Sequence, residues 1–514
     1  MLSRSIVKSF LFISLLLLQS IINCADWTQL QYDAQRTGRT TDTVQPPFRL
    51  RWMWFGSAGI IRNHLSNPSW TGPDLAPQDI IANEATLPEY VPFTFASFIQ
   101  PIIAGGKVYV GDMDGKVYCI NADDGSTVWT ANNPGGTVAS CVYANNLVVF
   151  GSISRYVRCY NATTGTLVWE KFVGGAVTGA PVTNGTILCV GSHEGHVYCF
   201  NLTDGNLLWK SPYLGAQVAG GLAMDDTSIY VGAENMYFYA LNISDGSIRK
   251  SVHVQGQSFY LEWPVVFSSY VFVQAAGIPC IGSEYVMEGP MQSATDIENE
   301  QDNILRWYQG DTNNNTWKDA SPDWKHLTVL NKNNFTEPFI VPVGPYEGCG
   351  TPPEPVVIDN QNRVLSWWKT KYPKLTATGA FGTSYSLDIS AINLSTGRRI
   401  VIDNGKLSGT SGETDNLFGL TVGGNIIYMR QNFRGTKCID YSNSTSRSIQ
   451  VQYSWNDGAG WLADIIYNGD TRTGAHNPST SMNSQAGRVG PAISGNIIFF
   501  TETFAVVAIE HHQQ

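Results

Sequence analysis

The side chains in this 514-residue chain that could carry chemistry are its nine cysteines, eight histidines and a thin scatter of carboxylates. The cysteines are Cys24, Cys119, Cys141, Cys159, Cys189, Cys199, Cys280, Cys349 and Cys438; none are adjacent and none are spaced Cys-x₂-Cys, so a thiolate metal cluster is not expected. Cys189 and Cys199 lie symmetrically about Glu194. A hairpin turning at His193-Glu194-Gly195 would set them face to face, and a disulfide there would contribute about 2–3 kcal/mol. Two buried free thiols are the alternative, and the remaining cysteines cannot be paired from sequence. His193 and His196 straddle the same turn, a spacing that suits either a two-His metal site or, more commonly, two solvated turn histidines. Asp112-Met113-Asp114-Gly115 opens like a calcium loop but lacks the distal Glu, and turn chemistry accounts for it. Trp367, Trp368, Trp461 and Glu502 form no recognisable constellation. No catalytic or metal-binding residue is therefore assigned.

The rest of the composition points outward from the cell. Arg4 and Lys8 precede an apolar run, Phe10 to Leu18, followed by small and polar residues up to Ala25. That order is expected of a secretory signal peptide spanning 1–24, cleaved near Cys24 or Ala25, with residues 25–514 as the mature domain. The run is too short for a membrane span. Eight cysteines would remain, an even number that suits an oxidising compartment. Asn-x-Ser/Thr sequons start at Asn161, Asn184, Asn201, Asn242, Asn314, Asn334, Asn393 and Asn443, the pattern of an extracellular glycoprotein. The formal net charge of −10, without a Lys/Arg run, argues against nucleic acid as a partner.

The elements that must position these residues repeat. Gly125, Gly165 and Gly205 fall 40 residues apart, as do Trp129, Trp169 and Trp209, and Cys119, Cys159 and Cys199. A fourth copy, Phe238 to Lys250, keeps its Asn and Gly but has lost the Cys and Trp. Within one repeat, Lys107–Gly111 and Lys116–Ile120 are β-prone runs flanking a hairpin turn, Asn121 to Gly125 makes a second turn, and Ser126 to Trp129 begins another strand. Four strands make a blade that cannot bury both faces alone, so the blades must stack, with the tryptophans as plugs between them. Clear repeats cover 97–252. Degenerate blades run over 258–510, interrupted by an insertion at about 280–350. The expectation is an all-β, eight-bladed β-propeller, with seven blades the alternative. Phe48 to Trp54 is an orphan strand that would complete the last blade and remove a free edge. The insertion and the leader 56–96 are much longer than a hairpin needs and are the expected source of specificity.

The repeat resembles that of the pyrroloquinoline-quinone (PQQ) dehydrogenases and their non-enzymatic relatives, in which an Ala-Leu-Asp/Asn run leads to Thr/Asp-Gly and then Trp four residues on. Asp26 to Gly38 is similar to the lead-in found before such propellers. The resemblance implies a quinone in the central funnel, stacked between a Trp and a disulfide of adjacent cysteines, with Ca²⁺ held by Glu, Asn and Asp and an Asp as base. Here no cysteines are adjacent and no position matches the metal ligands or the base, so no cofactor is expected. The favoured reading is a secreted, non-enzymatic binding or scaffold module for an extracellular protein or glycan. The alternative is an exported PQQ- and calcium-dependent alcohol or sugar dehydrogenase.

Overall fold

The computed structural model describes residues 25–45, 48–62, 95–275 (except 97, 257 and 261), 327–341, 355–371, 386–402 (except 401), 417–440 (except 432–434), 449–451, 489–502 and 505–511. Eight antiparallel sheets form the blades of a propeller. Blades 1 to 4 begin at Ile102, Val142, Val182 and Ala223 and have four strands each; blade 1, for example, is Ile102–Ala104, Lys107–Gly111, Lys116–Asn121 and Thr127–Asn132. Blade 5 has three described strands, from Val265–Phe267 to Leu327–Asn331, and blade 6 has four, from Val357–Ile358 to Arg399–Ile400. Blade 7 runs from Leu417–Gly423 to Ile449–Val451. Blade 8 joins Ala492–Ser494, Ile497–Glu502 and Ala505–His511 to the N-terminal strand Phe48–Trp54, with Ile60–Arg62 outside it. Trp52 pairs with Ala508 and Trp54 with Val506, so the N-terminus does complete the last blade. The one helical turn among the described residues is Gly56–Ala58, and no described helix is long and apolar enough to cross a membrane.

The sequence period reflects one docking contact repeated around the ring. Trp129 donates through Nε1 to Ala162 O of the next blade (2.9 Å), Trp169 to Leu202 O (2.9 Å) and Trp209 to Ile243 O (3.0 Å). Each indole lies flat on the following blade's turn glycine. A Cβ on Gly165, Gly205 or Gly246 would fall 2.6, 2.7 and 2.8 Å from the Cδ2 of Trp129, Trp169 and Trp209. Those glycines also have φ of 72°, 69° and 72°, so both the turn and the contact exclude a side chain. The N-terminal strand supplies the same contact at the closure: Trp52 donates to Ala122 O (3.0 Å) and lies on Gly125. Arg51 beside it bridges Glu510 of blade 8 and Asp123 of blade 1. The core is accordingly a set of slabs between blades, such as Val149, Cys159, Trp169, Val190 and Phe200 between blades 2 and 3.

Residues 27–44 do something no repeat announces: they form a hoop that visits the inner strand of every blade in turn. Trp27 exchanges both backbone bonds with Ile103 of blade 1 (2.8 and 2.9 Å), and Thr28 O accepts from Tyr143 N of blade 2 (2.8 Å). The Gln29 side chain brackets Thr183 of blade 3. Ala34, Gln35 and Thr37 carbonyls accept from Met224, Val266 and Ile358 in blades 4, 5 and 6. Arg39–Thr40 pairs in parallel with blade 7, and Asp42 accepts from Gly495 N of blade 8 (2.5 Å). Left-handed residues Gln31, Tyr32, Arg36 and Gly38 let the hoop turn this tightly. Arg36 is fully buried, and its guanidinium donates to Leu222 O, Leu30 O and Pro181 O (2.8, 2.8 and 2.7 Å), so its charge is solvated by carbonyls, while burial brings its pKa down to about 9.

The hoop meets the inner strands at or next to their C-terminal ends, beside the turns that join first to second strands. Antiparallel topology puts the third-to-fourth strand turns at that same end. The second-to-third strand turns and the blade-to-blade connections lie at the opposite end, so the two ends of the propeller are chemically different.

Candidate functional site

At the hoop end, the turns are short and polar: Gly105-Gly106, Asn145-Asn146, Asn184 to Thr186 and Asp225 to Thr227 between first and second strands, and Asp123-Asp124, Thr163-Thr164, Thr203-Asp204 and Ser244-Asp245 beyond third strands. The six described sequons are also there. Asn184 sits in a first turn, and Asn161, Asn201, Asn242, Asn334 and Asn393 sit in or begin third-to-fourth strand turns. Asn161 Oδ1 accepts from Thr163 N (3.0 Å) and Asn201 Oδ1 from Thr203 N (2.9 Å), the turn-building bond that Asn121 makes to Asp123 N (3.0 Å). Asn314 and Asn443 lie outside the described residues.

The opposite end is built differently. Met113 and Ile153 are exposed in second-to-third strand turns, and Tyr213 (61% exposed) and Tyr260 (45%) in blade connections. Among them is a polar group spanning blades 2 to 5. Thr178 Oγ1 lies 2.7 Å from His193 Nε2 and 2.9 Å from Ala219 O. A carbonyl only accepts, so the single hydroxyl proton goes to Ala219 and His193 must donate through Nε2, leaving Nδ1 with a lone pair when neutral. Burial holds His193 below the ordinary imidazole pKa, partly offset by Glu234 nearby. The Glu234 carboxylate accepts from Ser258 Oγ (2.7 Å) and Phe259 N (3.0 Å), fixing it to the connection that carries Tyr260. His196 does not join this group: its Nδ1 donates to Ser211 O (2.9 Å) and its ring packs near Tyr213. The two turn histidines thus have separate partners, and no group of three or more metal-type ligands converges among the described residues. Glu194, between them, accepts from Tyr198 OH and pairs with Lys210 (3.3 Å), and the Tyr198 bond holds its pKa down. Asp112 likewise serves its own turn, accepting from Lys116 N (2.8 Å) and Tyr118 OH (2.7 Å).

Cys189 and Cys199 are directly opposed in the hairpin of blade 3, both fully buried, with their Sγ atoms 2.9 Å apart as thiols in contact. Burial raises the Cys189 pKa well above the usual thiol value. Cys119, Cys141 and Cys159 are also free and buried, and Cys438 is buried; Cys24, Cys280 and Cys349 lie outside the described residues. Trp367 is core, packed with Leu365, Ile389 and Leu420. The Trp368 side chain and Trp461 lie outside the described residues, as do the leader 1–24 and most of the insertion. The strands flanking the insertion, Tyr270–Gln274 and Leu327–Asn331, are the second and third of blade 5, so the chain leaves one and enters the other at the end opposite the hoop.

A quinone with calcium would need several oxygen ligands, carboxylates among them, and flat surfaces to stack against. The described residues near the axis offer other chemistry. Gln100 accepts from Trp27 Nε1 (2.8 Å) and Gln31 N (2.7 Å) and donates to Gly490 O (2.6 Å), while Ser140 Oγ accepts from Gln100 N (2.8 Å). Arg36 is committed to carbonyls. At the blade junctions Gly179 lies against the Gly220 carbonyl, Gly220 against those of Phe259 and Glu262, and Gly490 against that of Leu420, too close for any side chain. Glu262 is a buried carboxylate at the junction of blades 4 and 5, and no three His, Cys, Asp or Glu side chains converge among the described residues to hold a calcium ion. Sequence reasoning missed Gln100, Arg36, Thr178 and Glu234, since each belongs to a connection, a turn or the hoop rather than to the repeat.

Comparison with known proteins agrees with this architecture. The profile of the family described as outer membrane protein assembly factor BamB, a PQQ-repeat family, matches residues 84–176 and 193–278. Among curated proteins no sequence matches. A europium-containing methanol dehydrogenase is similar in structure at 10% identity, with a TM-score of 0.50 over 95% of this chain and 98% of that one. BamB from Moraxella catarrhalis superposes at 11% identity with a TM-score of 0.47, covering 80% of this chain and 96% of its own. The computationally designed Ika8 protein gives 11% identity and 0.47, covering 82% and 97%.

Proposed function

We propose that this chain, whose blades are PQQ-type propeller repeats, is a secreted, non-enzymatic binding module that engages an extracellular protein or glycan through the end opposite the hoop. The observation that carries the reading is the polarity of the ring. Every described sequon lies at the hoop end, whereas Met113, Ile153, Tyr213 and Tyr260 are exposed at the other. Exposed tyrosines and methionine beside a few fixed polar groups are the composition of a recognition surface, and N-glycans on the sequons would leave that surface bare. Thr178, His193 and Glu234 supply the fixed polar groups. The insertion springs from this end as well. The reading also draws on the donor chemistry near the axis, which suits a packed ring better than a redox site.

The test uses single cysteines, each carrying a bulky maleimide adduct, at Met113 and Ile153 on one end and at Asn184 on the other. Binding of the labelled protein to arrayed glycans and to extracellular matrix proteins is then measured. Adducts at Met113 or Ile153 abolish binding and the adduct at Asn184 does not; the reverse pattern overturns the assignment.

A further inference from the structure

We propose that the chain is cut between Cys24 and Ala25, and that the α-amino group so released locks the hoop by pairing with Asp42. The inference rests on reading residues 1–24 as an export leader, but its geometry is independent of that reading. Ala25 N lies 3.0 Å from Asp42 Oδ2. The same oxygen accepts from Gly495 N of blade 8 (2.5 Å), and Asp42 N is itself held by Thr40 Oγ1 (3.1 Å). Asp42 thus joins the residue that leads into the hoop, the hoop's own end and the last blade. Position 25 has little slack, because Trp27 is fully buried and exchanges two backbone bonds with Ile103 (2.8 and 2.9 Å).

In the uncut chain, Ala25 N is an amide with a single proton to donate to Asp42. Hydrolysis by an export-pathway endopeptidase adds water across the Cys24–Ala25 bond: the hydroxyl goes to the Cys24 carbonyl carbon, and the Ala25 nitrogen takes a proton and then a second from solvent. The same atom becomes an ammonium 3.0 Å from a carboxylate, turning a neutral donor into a charge-assisted one. A cut one residue later would not do this. Asp26 would then begin the chain, its own Oδ1 already accepts from Gly105 N (3.0 Å), and Asp42 would keep only its blade 8 partner. The small and polar stretch after the apolar run allows cleavage at either bond; the hoop distinguishes between them.

The full-length chain is expressed in a secreting eukaryotic host, and the product is read by intact mass and N-terminal sequencing. Ala25 is the expected first residue. An uncut leader overturns both this proposal and the export reading, while a mature start at Cys24, Asp26 or beyond overturns this proposal alone. Separately, the chain beginning at Ala25 is compared with its Nα-acetylated form in thermal melts. The free amine is expected to melt about 1–2 °C higher, and the difference to vanish in Asp42→Asn. An equal midpoint, or a difference that persists in Asp42→Asn, overturns the pairing.

Discussion

Phe335 in blade 5 occupies the turn position that belongs to glycine in blades 1 to 4, and it does so where Lys250 in blade 4 has replaced the docking tryptophan. The register is plain: Ala240 pairs with Lys250 as Cys119, Cys159 and Cys199 pair with Trp129, Trp169 and Trp209. Phe335 N bonds Asn331 O (2.8 Å), as Gly125 N bonds Asn121 O (2.8 Å), and Phe335 takes a φ of 58°. Its ring is buried 5.9 Å from that of Phe238 in blade 4. One blade lost its plug and the next grew a replacement from the opposite side. Phe339, four residues on, then takes the tryptophan position itself, 3.0 Å from where a Cβ on Gly397 would lie.

This exchange predicts strong coupling. Phe335→Gly opens a cavity but relieves a left-handed backbone, for a net loss of about 2–4 kcal/mol. Lys250→Trp alone forces an indole onto a phenyl ring and is also destabilising. The double variant rebuilds the contact made by Trp209 on Gly246, and should recover at least ~1 kcal/mol relative to the sum of the single losses. Denaturant midpoints measure the cycle; additive losses would contradict it.

Ring closure gives a second prediction, about which glycines matter. Gly165 has φ of 72° with Trp129 upon it, whereas Gly185 has φ of 89° and nothing near a would-be Cβ. Gly185→Ala should cost about 1 kcal/mol, the backbone penalty alone, and Gly165→Ala or Gly125→Ala clearly more. Trp52→Ala should cost about 3–5 kcal/mol and promote opening between blades 8 and 1. Hydrogen exchange along Phe48–Trp54 reads that opening, and unchanged protection there would refute it.

The cysteine hairpin gives a third. In blade 2, Ser152 N bonds Tyr156 O, so ladder alternation makes the Val149–Cys159 pair a narrow one, and the equivalent Cys189–Cys199 pair shares that geometry. Narrow pairs bring Cα atoms within disulfide range. After oxidative export, alkylation without reductant should leave this pair unlabelled in the unfolded chain while labelling Cys159. Reduction, or Cys189→Ser with Cys199→Ser, should cost about 2–3 kcal/mol. Full labelling of both cysteines without reductant would show that they stay thiols.

The fourth concerns pH. Because burial holds His193 below its ordinary pKa, the unfolded chain binds the proton more readily than the native one. Stability is therefore full above about pH 6.5 and falls as pH drops through that value towards the native pKa. His193→Gln, which can still donate to Thr178 Oγ1, should destabilise the protein less at about pH 5 than at about pH 7.5. A larger penalty at acid pH would mean that the imidazolium is the favoured form.

The sequence showed the ring where residue types repeat. Trp129, Trp169 and Trp209 with their glycines were readable because docking recurs every 40 residues. Trp52 could not be matched to Gly125, since its partner lies in the next blade and 73 positions away. The Lys250–Phe335 exchange was hidden because both members changed together. The hoop showed only as the lead-in Asp26 to Gly38, and its path around the ring was hidden for a different reason: most of its bonds to the blades use backbone atoms, which leave no pattern of side chains, and those of Gln29, Arg36, Arg39 and Asp42 fall in no repeat. The end opposite the hoop follows the same rule, since Thr178, His193 and Glu234 come from connections and turns that the repeat does not constrain.

Recognition, and not quinone redox chemistry, is the function proposed for these blades. The most direct measurement is a titration of the purified mature protein with PQQ and Ca²⁺, following tryptophan fluorescence and dye-linked oxidation of alcohols and sugars. No saturable quenching and no dye reduction are expected. Saturable quinone binding with turnover would contradict the proposal and make the chain an exported quinoprotein dehydrogenase.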